Sequence, residues 1–311
     1  MLNPVHLTTL VAVVGTGSFA DAARQLGYTG SAVSQQIAAL ERAVKMPLFE
    51  RSAHSIQPTP AAEFLAARAR DSLASLRTLE DDIQGVADGT TGRIRIGSFP
   101  TASEHLLPEA LAHLLVERPG VEILLDEGET DDLVERLRDG EMDLALVYHY
   151  DLVPRRWPRT LQATPLLDED LVLLLPERHA RATDRPVLLE DLREERWVST
   201  RVGTAGATCL LRLCSEHDFD PTVAVRSNDY DVIRGFVRTG LGIALVPALS
   251  HISSRGVDVT HLADVTVRRH VTALHRSPRH NPAVTGALDA LEHAADHLVD
   301  LLPGVSAPGT G

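Results

Sequence analysis

Apolar positions recur at helical spacing along the first 45 residues, and glycines interrupt them. The first apolar stripe comprises Leu7, Leu10, Val11 and Val14. It predicts a helix that ends at the GTGS of residues 15–18. Ser18 is placed to cap a second helix, which Gly27 ends. Short helices separated by glycine turns predict a helix-turn-helix domain.

The stretch from Thr29 to Val44 predicts a third, capped helix with an unusual polar face. Its apolar side consists of Val33, Ile37, Leu40 and Val44. At about 100° per residue the opposite side carries Ser31, Ser34, Gln35, Ala38 and Arg42. Small polar side chains let a helix approach a DNA major groove, where Gln can bond adenine edges. Such patterns also occur without DNA, so an ordinary three-helix domain stays open at this point.

The next stretch predicts a wing and one long helix. Residues 48–51 and 55–59 favour two short strands, and no Pro or Gly interrupts residues 61–84. The stripe of this long helix comprises Leu65, Ala69, Leu73, Leu76, Leu79, Ile83 and Val86. With nothing local expected to cover it, a helix from a second subunit is favoured over packing on the chain's own downstream domain. Gly85 and the DGTTG of 88–92 predict a hinge.

Strands and helices alternate from residue 92 onward, which predicts a wound, parallel α/β sheet. The strands are expected at 93–99, 120–128, 142–149, 170–176, 196–200, 222–227 and 242–247. The helices are expected at 103–117, 130–139, 205–216, 229–239 and 282–302. The tail PGVSAPGTG, residues 303–311, is expected to be disordered.

Charge changes this picture little. The 311 residues have a net charge of −13, which argues at first against nucleic acid as a partner. Residues 1–60, however, hold four basic and three acidic side chains, so that region alone is close to neutral. The apolar runs are too short to span a bilayer, and two cysteines give no disulfide framework. Without an export signal, a cytoplasmic location is expected.

Several motifs occur in a fixed order along the chain. The N-terminal ones are Gly17-Ser18-Phe19, Ala22-Ala23, Ser31 to Gln36, Leu40-Glu41, Leu48-Phe49-Glu50-Arg51 and Thr59. Downstream follow GRIRIGS at 92–98, DGEMDLAL at 139–146 and TGLGIALVP at 239–247. Together they resemble the LysR-type transcriptional regulator family over essentially residues 1–300.

The resemblance implies an α/β protein of three parts. These are an N-terminal winged helix-turn-helix DNA-binding domain (1–60), a dimerising linker helix (61–88) and an effector-binding domain like a periplasmic binding protein (92–302). By analogy, subdomain I of the last comprises 92–163 and 269–302, and subdomain II comprises 164–268. The resemblance further implies a homodimer or homotetramer on double-stranded promoter DNA, a small-molecule effector, no cofactor, no catalytic residues and no membrane.

The resemblance also implies which residues contact DNA, from their positions in the family's motifs. Groove and backbone contacts are expected from Thr29, Gly30, Ser31, Ser34 and Gln35. Arg51 and Thr59 are expected to contact phosphate or the minor groove near the wing, although for Arg51 a salt bridge that holds the wing is equally open.

The chain departs from the family pattern at three of these helix positions. Where Ser31, Gln35 and Lys45 stand, the family often has Pro, a basic residue and Gly. If position 45 needs a positive φ, Lys there costs on the order of 1–2 kcal/mol.

Polar side chains follow several predicted strands where helices begin, which is where ligands bind in wound sheets. The candidate effector contacts are Ser98, Thr101, Thr130, Ser199, Arg201 and Asn228; the resemblance itself supports Thr101, Thr130 and the loop near 199–203. Hydroxyls and helix N-termini bind carboxylates, and Arg201 could add a bidentate contact. A carboxylate or other small polar metabolite is therefore expected, although each Ser or Thr could instead be a plain helix cap.

Signatures of catalysis are missing from the sequence, which contains no HExxH, P-loop or G-x-S-x-G motif. We therefore expect that the protein is a regulator and not an enzyme. Two alternatives remain: an enzyme built on this scaffold, and a binding protein whose N-terminal domain (1–60) contacts proteins rather than DNA. Cys209 and Cys214 lie roughly 140° apart around a helix, which favours structural thiols over redox sensing. His293 and His297 are spaced i, i+4, typical of a solvated face, with a shared metal as the alternative.

Overall fold

The computed structural model describes residues 2–51, 56–88, 92–181, 187–251, 256–277, 281 and 283–309. Two compact units account for the chain: residues 1–93 with 135–142, and residues 94–134 with 143–311. Within the described ranges, no helix has the length and apolar content needed to cross a membrane.

The first unit begins with three short helices, a two-stranded wing and a long helix. These are α1 (Pro4–Thr16), α2 (Phe19–Leu26), α3 (Gly30–Val44), β1 (Phe49–Arg51), β2 (Ile56–Pro58) and α4 (Pro60–Asp88). The two wing strands are antiparallel, with Phe49 opposite Pro58. The predicted order of three helices, wing and long helix is confirmed.

Local capping interactions set the helix ends in this unit. The Ser18 hydroxyl accepts a hydrogen bond from the Asp21 N–H, and the Thr29 hydroxyl accepts one from the Ala32 N–H, as predicted. Gly17 and Gly27 end α1 and α2 with φ of 67° and 69°, a left-handed conformation that glycine adopts without steric cost. The turn between α2 and α3 is therefore fixed by residues on both of its sides.

The first half of α4 packs on the helix-turn-helix core. Its buried residues there are Ala62, Ala66, Ala69 and Leu73. Because the first three are alanines, α1 can lie close against α4, and the two helices are neighbours. The expectation that nothing local covers this helix was thus wrong for its first half.

The second half of α4 keeps its apolar stripe exposed. Leu76, Leu79 and Ile83 are 41%, 55% and 63% exposed. The helix also continues through Gly85 to Asp88, so the predicted hinge does not begin at Gly85; residues 89–91 lie outside the described residues.

Strands and helices alternate after α4. The strands are β3 (Arg93–Ser98), β4 (Glu122–Glu127), β5 (Leu144–Tyr150), β6 (Leu161–Pro176), β7 (Arg196–Ser199), β8 (Thr222–Arg226), β9 (Ala244–Pro247), β10 (Val257–Thr260), β11 (Arg268–Arg276) and β12 (Val305–Ser306). The helices are α5 (Pro100–His105), α6 (Leu107–Glu117), α7 (Thr130–Arg138), α8 (Ala205–Glu216), α9 (Tyr230–Arg238) and α10 (Ala283–Leu301).

The main sheet is mixed rather than parallel throughout, which corrects the prediction of a parallel sheet. Its order is β10-β6-β11-β5-β3-β4, with β9 and β12 also paired to β6. Strands β3 and β5 are parallel, but β11 runs antiparallel to both β5 and β6. The sequence pattern predicted no strand at residues 268–276, where β11 lies, although Val271, Ala273 and Leu274 are buried there. Strands β7 and β8 form a separate parallel pair.

The tail was predicted to be disordered, and for residues 303–309 that is wrong. Val305 is buried, and β12 pairs with β6, setting Val305 opposite Glu169 and Ser306 opposite Asp168. The Gly309 N–H donates to the Asp168 carboxylate at 3.0 Å. The glycines and prolines of this stretch favoured disorder, but the burial of Val305 and the pairing of β12 with β6 hold it in place. Residues 310 and 311 lie outside the described residues.

Lys45 ends α3 in the left-handed conformation, with φ 57° and ψ 35°. A side chain with a Cβ is strained there, whereas glycine is not. We expect Lys45→Gly to raise the free energy of unfolding by about 1 kcal/mol in urea denaturation of the full chain. Lys45→Ala is the matched control, since it removes the charge and keeps the Cβ. An equal gain from Ala would contradict a backbone origin.

Candidate functional site

The outer face of α3 is polar and carries no charge before Arg42. Ser31 and Gln35 are exposed, and Ser34 is half-buried. The neighbouring Gln36 is held inward, because its side-chain oxygen accepts a hydrogen bond from Thr9 at 2.5 Å. Of the two adjacent glutamines, Gln35 is thus the one presented to the outside.

The helix N-terminus beside this face is built by Thr29 and Gly30. Thr29 caps the helix and its hydroxyl lies 3.0 Å from that of Ser31. Gly30 is exposed, and no atom lies within 4 Å of the position a Cβ would take. A phosphate oxygen can therefore approach these backbone N–H groups without obstruction.

Two predicted contacts lie near the wing. The Thr59 hydroxyl caps α4 by accepting from the Ala62 N–H, and it donates toward the carbonyls of Pro47 and Leu48 at 3.2 Å. It thereby ties the start of α4 to the loop between α3 and β1. Arg51 is the last residue of β1, and its side chain lies outside the described residues.

The second unit contains a polar pocket of about 350 Å³. Its walls come from the loops after β3 and β4, from β5 and β11, and from the segments that precede α8 and α9. The lining residues are Phe99, Pro100, Thr101, Glu129, Tyr148, Thr200, Thr204, Asn228, Tyr230 and Arg269. Loops at strand ends and helix starts thus form the cleft, as expected for a wound fold.

The six predicted effector contacts separate into three groups. Thr101 and Asn228 line the pocket, and Ser199 lines an adjoining one of about 360 Å³ that shares Thr200 and Tyr230. Ser98 and Thr130 are buried and bonded to the backbone, Thr130 to both the N–H and the carbonyl of Tyr148.

Arg201, the third group, is exposed and lines neither pocket; its N–H donates to Asn228 at 2.9 Å. The backbone of Arg201 therefore orients the Asn228 amide, which itself lines the cleft.

Six lining residues were not predicted from the sequence, namely Phe99, Pro100, Glu129, Tyr148, Tyr230 and Arg269. Glu129 directly precedes the predicted contact Thr130, so its position at a strand end was a usable signal. Tyr148 lies within a predicted strand, and Arg269 within a strand that was not predicted. Only the strand register shows that these side chains share a face.

Arg269 and Glu169 form a buried ion pair behind the pocket. The two residues are direct partners on β11 and β6 and are 1% and 0% exposed. Arg269 Nε donates to the carboxylate of Glu169 at 2.6 Å, and Nη2 donates to the Thr101 hydroxyl at 2.7 Å. The second Glu169 oxygen accepts from the Leu249 N–H at 2.9 Å. Both carboxylate oxygens are thus satisfied.

Aromatic rings complete this arrangement. The guanidinium of Arg269 lies 5.1 Å from the ring centres of Phe99 and Tyr148. Burial opposes the charge of Arg269, but Glu169 and the nearby tyrosines outweigh burial and raise its pKa above the ordinary value. Burial raises the pKa of Glu169, while Arg269 and the Leu249 amide oppose that rise. Arg269 is therefore a permanent cation at the pocket wall.

The opposite face of the same strands carries a histidine cluster. His270 bonds Asp168 at 2.6 Å and Asp151 at 2.7 Å, and its ring stacks on His149 at 4.7 Å. Burial lowers the pKa of His270, but the two carboxylates more than compensate, so the net shift is upward. Since successive side chains on a strand alternate between faces, this cluster lies behind the pocket rather than in it.

The remaining candidates for redox or metal chemistry are structural in position. Burial raises the pKa of both Cys209 and Cys214 to about 12. His297 bonds the Glu109 carboxylate at 2.7 Å, and His293 packs beside His113. Among the residues whose placement is described, no three His, Cys, Asp or Glu side chains are arranged so that they could hold a metal ion.

A groove-fitting helix in a winged helix-turn-helix unit, joined in one chain to a wound α/β unit with a polar cleft, defines a ligand-responsive DNA-binding protein. Residues 4–63 match the bacterial regulatory helix-turn-helix protein, lysR family, and residues 87–296 match the LysR substrate binding domain. The chain belongs to the LysR family of transcriptional regulators, so the predicted family, fold class and function are confirmed.

Known proteins support this assignment over most of the chain. The transcriptional dual regulator GltC of Bacillus subtilis is 31% identical over 218 residues, which are 70% of this chain and 71% of GltC. The solved structure of HinK, a LysR family transcriptional regulator from Pseudomonas aeruginosa, matches with a TM-score of 0.59 and 26% identity, covering 97% of this chain and 100% of HinK.

A peroxide-bound variant of OxyR from Corynebacterium glutamicum is similar to the same degree. Its TM-score is 0.59 and its identity 26%, with coverage of 96% of this chain and 94% of that one. Both GltC and HinK are transcriptional regulators, which agrees with the expectation of a regulator rather than an enzyme.

Removing one partner of the buried ion pair leaves the other charge uncompensated. We expect Glu169→Leu to lower the free energy of unfolding by about 3–5 kcal/mol in urea denaturation of the full chain. The double variant Glu169→Leu/Arg269→Met, which leaves no unpaired buried charge, is expected to lose much less. Equal losses in the single and double variants would show that the two charges are not coupled.

Proposed function

We propose that this LysR-family regulator binds promoter DNA through α3 and the wing as a homodimer or homotetramer, and that a small polar metabolite in the cleft changes this binding. The observation that carries the proposal is the outer face of α3, where Gln35 is exposed between small hydroxyl side chains. A helix face that carries no charge before Arg42 is unusual for a surface that contacts only water, but it fits a major groove closely.

The DNA contacts in this proposal come from two kinds of group. Ser31, Ser34 and Gln35 face the bases, while Thr29 and Gly30 offer the helix N-terminus to a phosphate. Arg51 and Thr59 lie at the wing, where a basic side chain would contact phosphate or the minor groove.

The cleft supports regulation by a ligand because its walls come from both subdomains. By the subdomain bounds that the resemblance implies, Thr101 falls in the first subdomain and Thr200 and Thr204 in the second, and all three line the pocket. A ligand that bonds both sides favours the closed arrangement in proportion to its extra affinity for that state. Closure then alters the spacing of DNA-binding heads in an oligomer.

The exposed stripe on α4 supports an oligomer. Leu76, Leu79 and Ile83 lie on one side of the helix, and no described residue of the chain buries them. A second copy of α4 would cover this stripe with an equivalent one, as two-fold symmetric interfaces do.

Peroxide as the signal, which the peroxide-bound structure of the OxyR variant suggests, gains no support from the thiols of this chain. A pKa of about 12 leaves Cys209 and Cys214 protonated near neutral pH, and the thiolate is the species that reacts with peroxide. A cleft ligand is therefore favoured over thiol oxidation as the signal.

Footprinting on the DNA upstream of the protein's own coding region tests DNA binding. We expect protection over several helical turns that weakens steeply between low and high salt, because phosphate contacts release counterions. Gln35→Ala is expected to weaken binding to the protected site about tenfold or more. Gln162→Ala, the same change at an exposed position of β6, is expected to bind like the parent protein. An unchanged footprint for Gln35→Ala would contradict groove recognition by α3.

Sedimentation equilibrium tests the role of α4. We expect the double variant Leu79→Glu/Ile83→Glu to shift the protein toward monomer at micromolar concentration, because charge on the stripe opposes its burial. Leu301→Glu introduces the same residue at an exposed leucine on α10 and is expected to leave the assembly unchanged. A double variant that sediments like the parent would place the interface elsewhere.

A further inference from the structure

Two opposite charges line the same pocket, and they define what kind of ligand it fits. Among the described lining residues, Arg269 is the one cation and Glu129 the one anion. Arg269 is buried on β11, whereas Glu129 lies exposed in the loop before α7. The charge inside the pocket and the charge at its rim are therefore of opposite sign.

Arg269 has unused donors. Its Nε and Nη2 groups are engaged by Glu169 and Thr101, while Nη1 has no hydrogen-bond partner within the described ranges. Two N–H groups of a buried guanidinium thus remain for a group inside the pocket that Arg269 lines. The Thr204 hydroxyl also lines the pocket, but it donates to the Arg201 carbonyl at 2.8 Å and lies 2.8 Å from the Thr200 hydroxyl, so the free donors are those of Arg269. A carboxylate is the natural partner for this set of donors.

Glu129 has only neutral partners. It accepts from the Tyr148 hydroxyl at 3.3 Å and from the Asn228 amide at 3.2 Å, both longer than usual for bonds to a charged group. The nearby cation Arg155 interacts with Glu129 electrostatically, but it forms its two-point hydrogen-bonded contact with Asp131. No cation in the described part of the chain forms an ion pair with Glu129, so its charge is available to a ligand.

Net charge decides between ligand classes. Glu169 neutralises Arg269, so the pocket and its immediate support carry the one net negative charge of Glu129. A simple carboxylate gains at Arg269 but is repelled by Glu129, and a simple amine leaves the Nη1 donors unused. A ligand with both groups satisfies both ends and adds no net charge.

The distances and volume indicate a small molecule. Tyr148 spans the gap between the charges: its ring centre lies 5.1 Å from the Arg269 guanidinium, and its hydroxyl lies 3.3 Å from Glu129. The two charges are thus about one tyrosine side chain apart. The space of about 350 Å³ includes solvent at the open mouth, so the enclosed part is smaller still.

We propose that the effector is a small amino acid, with its carboxylate at Arg269 and its ammonium group at Glu129. The proposal rests on the proposed function, because it identifies the ligand class of the same cleft. Glu129 is then the residue that selects for an amino group, and the ring of Tyr148 stabilises the ammonium further.

The test uses the purified full-length protein and matched probes. The panel comprises the common L-amino acids, β-alanine and 4-aminobutyrate. For every probe that raises the melting temperature, two analogues are titrated by calorimetry: the hydroxy acid, which lacks the ammonium group, and the methyl ester, which lacks the carboxylate. We expect at least one amino acid to bind, with both analogues at least tenfold weaker.

The variant Glu129→Gln supplies the decisive comparison. Its preference for the amino acid over the hydroxy acid is expected to fall at least tenfold, because the repulsion of a lone carboxylate disappears together with the ammonium contact. The matched control is Glu127→Gln, which makes the same change on β4 outside the pocket wall and is expected to keep the parent's preference.

Three outcomes overturn the proposal. No amino acid in the panel binds, or one binds with an unchanged preference in Glu129→Gln, or the ligand proves to be a carboxylate without an amino group. If a carboxylate without an amino group binds and alters the footprint, the ligand class is wrong but the proposed function stands. If the upstream DNA is never protected, with or without any probe, the proposed function itself fails.

Discussion

A guanidinium withdrawn from water must be matched by a carboxylate, and the pair Arg269–Glu169 meets this requirement at the centre of the second unit. The two residues sit directly opposite each other on the paired strands β11 and β6. Because the Thr101 hydroxyl and the Leu249 N–H complete the hydrogen bonds, the pair also fixes the start of α5 and the segment after β9. The pocket wall is thus held in place from behind.

Because side chains alternate along a strand, the adjacent strands β6, β11 and β5 present different residues on their two faces. One face presents Tyr148, Tyr150 and Arg269 toward the cleft region, and the other face gathers His149 and His270 with Asp168. A shift in register of a single residue would exchange the two sets. The bulge between Val271 and Thr272 lies beyond this region, so the register at Arg269 is undisturbed.

The sequence was most informative where the cause of structure is local. Ser18, Gly27 and Thr29 set helix ends through their own hydroxyls or backbone freedom, and they were identified correctly. The cleft was harder, because Arg269 and Glu169 are 100 residues apart and meet only through pairing of strands. Strand β11 begins with charged residues, so its pattern hid a strand that is largely buried. Alanines on α4 hid a core contact for a similar reason, since Ala carries little hydrophobic signal by itself.

The ordered tail has a further consequence for how this protein can be handled. Strand β12 pairs with the backbone of Asp168 and Glu169, and Glu169 is the residue that holds Arg269 at the pocket wall. The residues before Gly309 therefore help to hold the pocket wall in place. A fluorescent reporter or affinity tag fused close after this strand would therefore disturb the cleft. A tag placed ahead of α1 would leave the cleft undisturbed, but it would lie next to the winged helix-turn-helix domain.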